Sequence, residues 1–236
     1  MRFIPVLISS FFASAVLAAP GRERRDTLPD SFWAGNILTL DSKSNGTIQY
    51  VTSTIHAPDI TGQTVGSYAV AFVGIDGAGS CSSALRLGLV FNLTTEGPSY
   101  TVIYQHDIAM GPIDGVHIAT GDPIEFTVNA PIGANMKLGI VTVKNLNNNQ
   151  SATQKFNLTE RLCGKTAEWV VENLTDDSTS LAVNSMLNFG TLTFANAEIG
   201  GNDLGQLDSN IVNIIENGLV LTSVSADSDS VSVMWL

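Results

Sequence analysis

The chain has 236 residues, of which 44% are hydrophobic and 14% charged, and its formal net charge is −11 at pH 7. This length and composition suit one globular domain with a substantial core. The acidic balance argues against a nucleic-acid partner, because phosphates would be repelled.

The first 25 residues have the pattern of a secretory leader. Residues 1–18 combine a basic start, an apolar stretch too short to cross a membrane, and a small-residue cleavage site, so they predict a signal peptide. Residues 19–25 end in the pair Arg24-Arg25 and predict a short pro-segment with a dibasic processing site. We therefore expect a secreted, extracellular domain at 26–236, with 7 basic and 21 acidic residues and a net charge of −14.

Cysteine and asparagine usage agree with the secretory route. Cys81 and Cys163 are the two cysteines of the chain. A pair of cysteines in a secreted protein predicts a disulfide. Glycosylation is predicted at five Asn-x-Ser/Thr sequons, which start at Asn45, Asn92, Asn149, Asn157 and Asn173.

From residue 45 onward the sequence reads as short strands separated by Gly/Asn/Asp turns, with scarcely any helix. A helix over Ile211 to Glu216 fits the pattern, but Asn217-Gly218 favours a hairpin there. The closing apolar run follows two aspartates and does not fit a lipid-anchor signal, so no membrane partner is expected. This spacing predicts an all-β, single-domain sandwich of two curved antiparallel sheets, of concanavalin-like or jelly-roll type. In chain order the predicted strands are 47–55, 68–75, 84–91, 100–106, 115–119, 124–130, 136–144, 152–158, 167–172, 187–196, the hairpin pair around 217–218, and 231–236.

One predicted strand, Ala167 to Glu172, carries a carboxylate within a run of β-formers. Successive side chains of a strand face opposite ways, so Trp169 lies on one face, while Glu168 and Glu172 lie on the other. Taken alone, this pattern more often marks a solvated outer face than a catalytic group.

Several chemistries lack their sequence patterns. The chain has no His-Glu-x-x-His motif, and His56, His106 and His117 are scattered, so we expect no metal and no cofactor. A glycosidase pair of Glu168 and Glu172 is disfavoured, because four strand steps separate their backbones by roughly 13 Å. A glycosidase that pairs Glu168 with a more distant carboxylate stays open.

Several stretches together resemble the eqolisins, the fungal glutamic peptidases. The strongest match runs from Cys163 to Glu172 and contains Ala-Glu-Trp-Val-Val-Glu. The resemblance covers nearly the whole of the expected mature chain. The other matching stretches are 32–35, 71–77, 81–91, 121–122, 188–198 and the C-terminal strands.

The resemblance implies an acid endopeptidase with a substrate cleft on a concave sheet face. Members of the family use a glutamate as general base and then general acid, and a glutamine amide as oxyanion donor. A carboxyl base and a neutral donor suit peptide hydrolysis at acid pH. The glutamate carries over to Glu168, and the resemblance places Phe72, Asp76 and Gln105 at further cleft positions.

The glutamine does not carry over, because Arg86 stands at its position. Arg86 follows Cys81 by five residues, and Glu168 follows Cys163 by five. If the cysteines are bonded and the two strands run in the same direction, Arg86 and Glu168 lie at the same distance along their strands from the disulfide. We therefore expect an Arg86–Glu168 salt bridge, with the arginine lowering the pKa of the carboxyl group. Gln105 is a further candidate for the missing amide.

Two main functions remain open on these residues. One is a secreted acid endopeptidase, weakened or inactivated by Arg86, that acts on polypeptide as a monomer. The alternative is a non-catalytic sandwich that binds peptide or glycan in the same cleft. A weaker third possibility, a cell-wall glycan-active enzyme, lacks an evident carboxylate pair.

Overall fold

A computed structural model describes residues 31–41, 43–78, 81–107, 109–132, 135–173, 186–216 and 218–236. The predicted signal peptide and pro-segment lie outside these residues. None of the helices in the described part is long and apolar enough to cross a membrane. The strands are β1 Trp33–Leu40, β2 Thr47–His56, β3 Tyr68–Ile75, β4 Leu85–Thr94, β5 Gly97–His106, β6 Ala109–Pro112, β7 Pro123–Asn129, β8 Leu138–Asn145, β9 Ser151–Asn157, β10 Thr166–Glu172, β11 Thr191–Asn202, β12 Leu207–Val212, β13 Ile215–Glu216, β14 Leu219–Val220, β15 Thr222–Ala226 and β16 Ser230–Trp235.

Two seven-stranded antiparallel sheets pack as a sandwich, which confirms the predicted fold class. The first sheet has the order β12-β1-β10-β3-β4-β5-β6, and the second has the order β15-β16-β11-β2-β7-β8-β9. The short strands β13 and β14 form a separate hairpin, at the place where the sequence predicts one.

The core lies between the two sheets and is formed by alternate residues of their strands. On β10 the core-facing residues are Ala167, Trp169 and Val171, as the alternation predicts. Trp169 donates its indole N–H to the carbonyl of Thr52 on the second sheet, at 3.1 Å. The opposite face of the first sheet, on which Glu168 lies, is called the site face below.

One predicted strand is wrong. Residues 115–119 form no strand, because side chains take up the backbone groups of His117. Asn145 and Asn148 donate to its carbonyl, and Gln150 accepts from its N–H at 2.7 Å. His117, at the centre of the segment, therefore has no backbone group left for a ladder.

The predicted disulfide is present and fixes the entry to β10. Cys81 and Cys163 are bonded, with their Cα atoms 6.0 Å apart. Beside them, the carboxylate of Asp76 accepts from the backbone N–H groups of Gly164 at 2.7 Å and Lys165 at 2.8 Å. The turn after β3 is thus tied to the start of β10, two residues before Glu168.

Candidate active site

Four residues at one level of the first sheet form the base of the site. On β3, Gly74 is the register partner of both Glu168 on β10 and Arg86 on β4. Arg86 is in turn opposite Gln105 on β5. Since β10 and β4 are each antiparallel to β3, they run in the same direction, as the cysteine spacing requires.

Gly74 allows Arg86 and Glu168 to meet across the intervening strand. A Cβ at residue 74 would lie 2.8 Å from Arg86 Cγ and 2.8 Å from Glu168 Oε1. These distances are too short for a side chain at residue 74, so the space above Gly74 is filled by the side chains of Arg86 and Glu168. Arg86 Nε lies 2.6 Å from Glu168 Oε1, and the expected salt bridge is present. The contact is short but poorly aligned for a hydrogen bond, so we treat it as an ion pair.

The head of the arginine is held by a second glutamate. Arg86 Nη1 and Nη2 donate to the two carboxylate oxygens of Glu172, at 3.0 and 2.8 Å. Nη1 also donates to Gln105 Oε1 at 3.0 Å. Below the head lies Phe72, with its ring centroid 4.1 Å from Arg86 Cζ, in the range of a cation–π contact. The guanidinium is therefore bonded on three sides and stacked on the fourth.

Glu168 is a deeply buried carboxyl group, with 1% of its surface exposed. Burial raises its pKa, Arg86 opposes that rise, and the nearby charge of Glu172 adds to it. The expectation that Arg86 would hold this pKa low is therefore wrong. Removal from water destabilises the ionised carboxylate more than one shared, poorly aligned arginine stabilises it.

Arg86 is 8% exposed and remains charged. Burial lowers its pKa, but Glu168 and Glu172 together outweigh burial and raise it overall. Two carboxylates share one guanidinium, so the cluster has a net charge of −1 when all three groups are ionised. Such a cluster favours the uptake of one proton.

The remaining candidate residues lie in different surroundings. Phe72 and Gln105 contact Arg86 directly, whereas Asp76 is 3% exposed and directed at the backbone of residues 164–166. Asp76 therefore positions β10 and does not contact the guanidinium. Burial raises its pKa against the lowering effect of those N–H groups.

The predicted glycosylation sites differ in accessibility. Asn45, Asn149 and Asn157 are exposed and Asn92 is half-buried. Asn173 is only 4% exposed, at the end of β10, and is the least accessible acceptor in the folded domain. Glycosylation stays a prediction at all five positions.

A separate open groove of about 690 Å³ lies near the turn between β4 and β5. It shares no residue with the Arg86 cluster, which lies toward the other end of β4. We assign it no part in the chemistry. Its lining residues are 94–100 and 116–118.

Sequence reasoning missed the roles of Glu172 and Gly77. Backbone spacing disfavours Glu172 only as the glycosidase partner of Glu168, and it does not show that the two carboxylates reach the same guanidinium. Their placement on one face was the available signal. A Cβ on Gly77 would lie 1.8 Å from Glu168 Oε1, so this glycine leaves the space that the carboxyl group fills.

Comparison with known proteins identifies the relatives of this chain. The family model described as Peptidase A4 matches residues 31–235. The chain belongs to the peptidase A4 family. This agrees with the resemblance to the eqolisins found from the sequence.

Aspergillopepsin-2 of Aspergillus niger is 29% identical over 289 residues, covering 100% of both chains. The crystal structure of aspergilloglutamic peptidase from Aspergillus niger is 32% identical, with a TM-score of 0.63, and covers 72% of this chain and 99% of that one. Scytalido-glutamic peptidase, solved with a transition state analog inhibitor, has a TM-score of 0.72 and 24% identity, covering 87% of this chain and 98% of that one. Membership of the A4 family points to a glutamic-type peptidase.

Proposed function

We propose that this protein is a secreted acid endopeptidase of the glutamic type, which binds polypeptide on the site face and hydrolyses it through Glu168. The observation that carries the proposal is the buried carboxyl group of Glu168, facing Arg86 across Gly74. The A4 family supplies the reaction class. The leader pattern of residues 1–25 and the disulfide support secretion.

In this mechanism the ionised Glu168 takes a proton from a water molecule as that water attacks the peptide carbonyl. It then returns the proton to the leaving amine. Arg86 has the N–H groups to donate to the oxyanion of the tetrahedral intermediate. The ion pair must loosen for this step, because Arg86 Nε lies 2.6 Å from Glu168 Oε1 and is turned to the base instead of the oxyanion. We therefore expect weak hydrolysis.

The pH dependence follows from the burial of Glu168. As a base, the group must be ionised, and its pKa is raised. The acid limb of kcat/KM is then expected above the ordinary glutamate range, with activity falling as pH drops through the raised pKa.

The test is cleavage of an unfolded protein substrate across acid pH by the wild type, Glu168→Gln and Glu96→Gln. Glu96 is an exposed carboxylate in the turn after β4, so its variant controls for loss of one negative charge. Cleavage should disappear in Glu168→Gln and persist in Glu96→Gln. A wild type that cleaves nothing at any pH, or a Glu168→Gln variant that retains full activity, overturns the proposal.

One observation bears on a second candidate, a non-catalytic domain that binds peptide or glycan. Each of the three guanidinium nitrogens of Arg86 already has a partner within the cluster, so no nitrogen is left wholly free for an oxyanion. This candidate predicts that the wild type binds an unfolded peptide at acid pH without cleaving it. Mass spectrometry of the recovered peptide distinguishes the two functions.

A further inference from the structure

The two glutamates hold Arg86 in unequal ways. Glu172 binds the head of the arginine through two aligned hydrogen bonds, from Nη1 at 3.0 Å and Nη2 at 2.8 Å. Glu168 receives only the side nitrogen Nε, at 2.6 Å and with poor alignment. Paired, parallel N–H···O bonds are the strong form of arginine–carboxylate recognition. Glu172 is therefore the anchor of the guanidinium.

The surroundings of the head reinforce this anchor. Gln105 on β5 accepts from Nη1, and the ring of Phe72 on β3 lies beneath Cζ. The charged groups facing Glu168 are Arg86 on β4, Glu172 on its own strand and, more weakly, Asp76 after β3. Gln105 and Phe72 are neutral, so the charge balance at Glu168 depends mainly on where the guanidinium lies between two glutamates.

We propose that Glu172 is a positioning residue: by anchoring the head of Arg86 above Phe72, it limits how much of Glu168 the arginine covers. Removing the anchor frees the planar head to turn its paired N–H groups toward Glu168. That carboxyl group would then be more firmly ionised and more completely blocked. The consequence for hydrolysis rests on the proposed function, whereas the anchoring itself does not.

The test measures the titration of the Glu168 carboxyl carbon by NMR, which needs no activity. Glu172→Gln should lower the pKa of Glu168 by about one unit, through lost repulsion and the released arginine. In an Arg86→Gln background the same substitution should have a clearly smaller effect, because no arginine is present to move. Equal shifts in the two backgrounds would show that Glu172 acts only as a nearby charge and would overturn the proposal.

Glu172→Asp separates the anchor from the charge. It keeps the carboxylate but shortens the side chain, so the paired bonds are lost while most of the repulsion remains. The pKa of Glu168 should still fall in this variant, by less than in Glu172→Gln. An unchanged titration in a folded Glu172→Asp protein contradicts the proposal, and amide spectra establish that the fold is intact.

The result is independent of the peptidase proposal. Suppose that Glu172→Gln shifts the pKa of Glu168 unequally in the two backgrounds and that the wild type cleaves no substrate. This result would support the positioning role and reject the peptidase. Equal pKa shifts in the two backgrounds, together with a wild type that cleaves substrate at acid pH, would reject the positioning role and support the peptidase.

Discussion

At the scale of single residues, Arg86 joins the two carboxylates of the candidate site. A buried ion pair gains little over an apolar pair of the same shape, but removal of one partner leaves an uncompensated charge. Here one guanidinium serves two carboxylates, at 2.6 Å from Glu168 and 2.8 Å from Glu172. Its replacement therefore affects both activity and stability, in opposite directions.

Arg86→Gln should raise peptidase activity at acid pH about tenfold or more, because a neutral amide can donate to an oxyanion without occupying the base. The same change should cost about 3 kcal/mol of unfolding free energy near neutral pH, where the buried Glu168 and the partly exposed Glu172 lose their cation. Initial rates of acid cleavage and urea unfolding measure the two effects. Arg86→Lys keeps the charge and serves as control, and equal rates in the two variants would contradict this account.

Much of the site at residue scale could be predicted from the sequence. Strand alternation placed Glu168 opposite the core, and the equal spacing from each cysteine brought Arg86 level with it. The anchoring by Glu172 could not be predicted, because backbone spacing does not show where two long side chains converge. The raised pKa of Glu168 also depends on burial, which only the packed fold defines.

At the scale of elements, the segment from β3 into the next turn provides space for the carboxyl group. Both Gly74 and Gly77 border Glu168 Oε1, and neither leaves room for a Cβ. At these two positions the backbone thus shapes the site through the absence of a side chain.

Gly77→Ala should displace the Glu168 carboxyl group and reduce peptidase activity, while the protein stays folded. The clash is with the end of a flexible side chain, so its cost should be about 1–3 kcal/mol. Gly200→Ala is a matched control, because a Cβ there meets its nearest atom at 3.5 Å. Activity and thermal unfolding of both variants provide the check. An active Gly77→Ala enzyme would show that the carboxyl group tolerates displacement.

Strand prediction succeeded where the alternation of apolar residues is strong. It failed where the partner strand is distant in the sequence, or where side chains bind the backbone groups that a strand would use. The central strands β3, β4 and β10 lie close to their predicted limits. β1, β6 and β12 were not predicted as strands, and the latter two are short edge strands with exposed residues. Residues 115–119 alternate like a strand, yet neighbouring asparagine side chains bind their backbone.

At the scale of the whole molecule, stability should rise when the protein is moderately acidified. Burial raises the pKa of Glu168 above its ordinary 4.5 and that of Asp76 above 3.8, so the native state binds these protons more tightly than the unfolded chain. This contribution to stability is complete below the ordinary values and is lost as pH rises through the raised ones. Protonation also reduces the repulsion among the excess acidic residues, which again stabilises the folded state at lower pH.

The midpoint of thermal unfolding should therefore increase from pH 7 to about pH 5. Glu168→Gln should flatten this increase, since the amide binds no proton, and Glu96→Gln should leave it nearly unchanged. Calorimetry in a low-salt buffer gives the comparison. The same pH slope in Glu168→Gln as in the wild type would show that other carboxyl groups produce the effect.

The position of β1 bears on how the protein is made. This first strand pairs with β10 and β12, which lie in the last third of the chain. The strands within β3–β5 and within β7–β9 pair with their immediate neighbours in the sequence, so they can pair soon after synthesis. In contrast, β1 cannot form its ladder in the first sheet until β10 has been made. Arg86 is likewise made long before Glu168. A growing chain therefore holds an incomplete site until β10 has been made, and the pairing of β10 with β1 and β3 completes both the centre of the first sheet and the site.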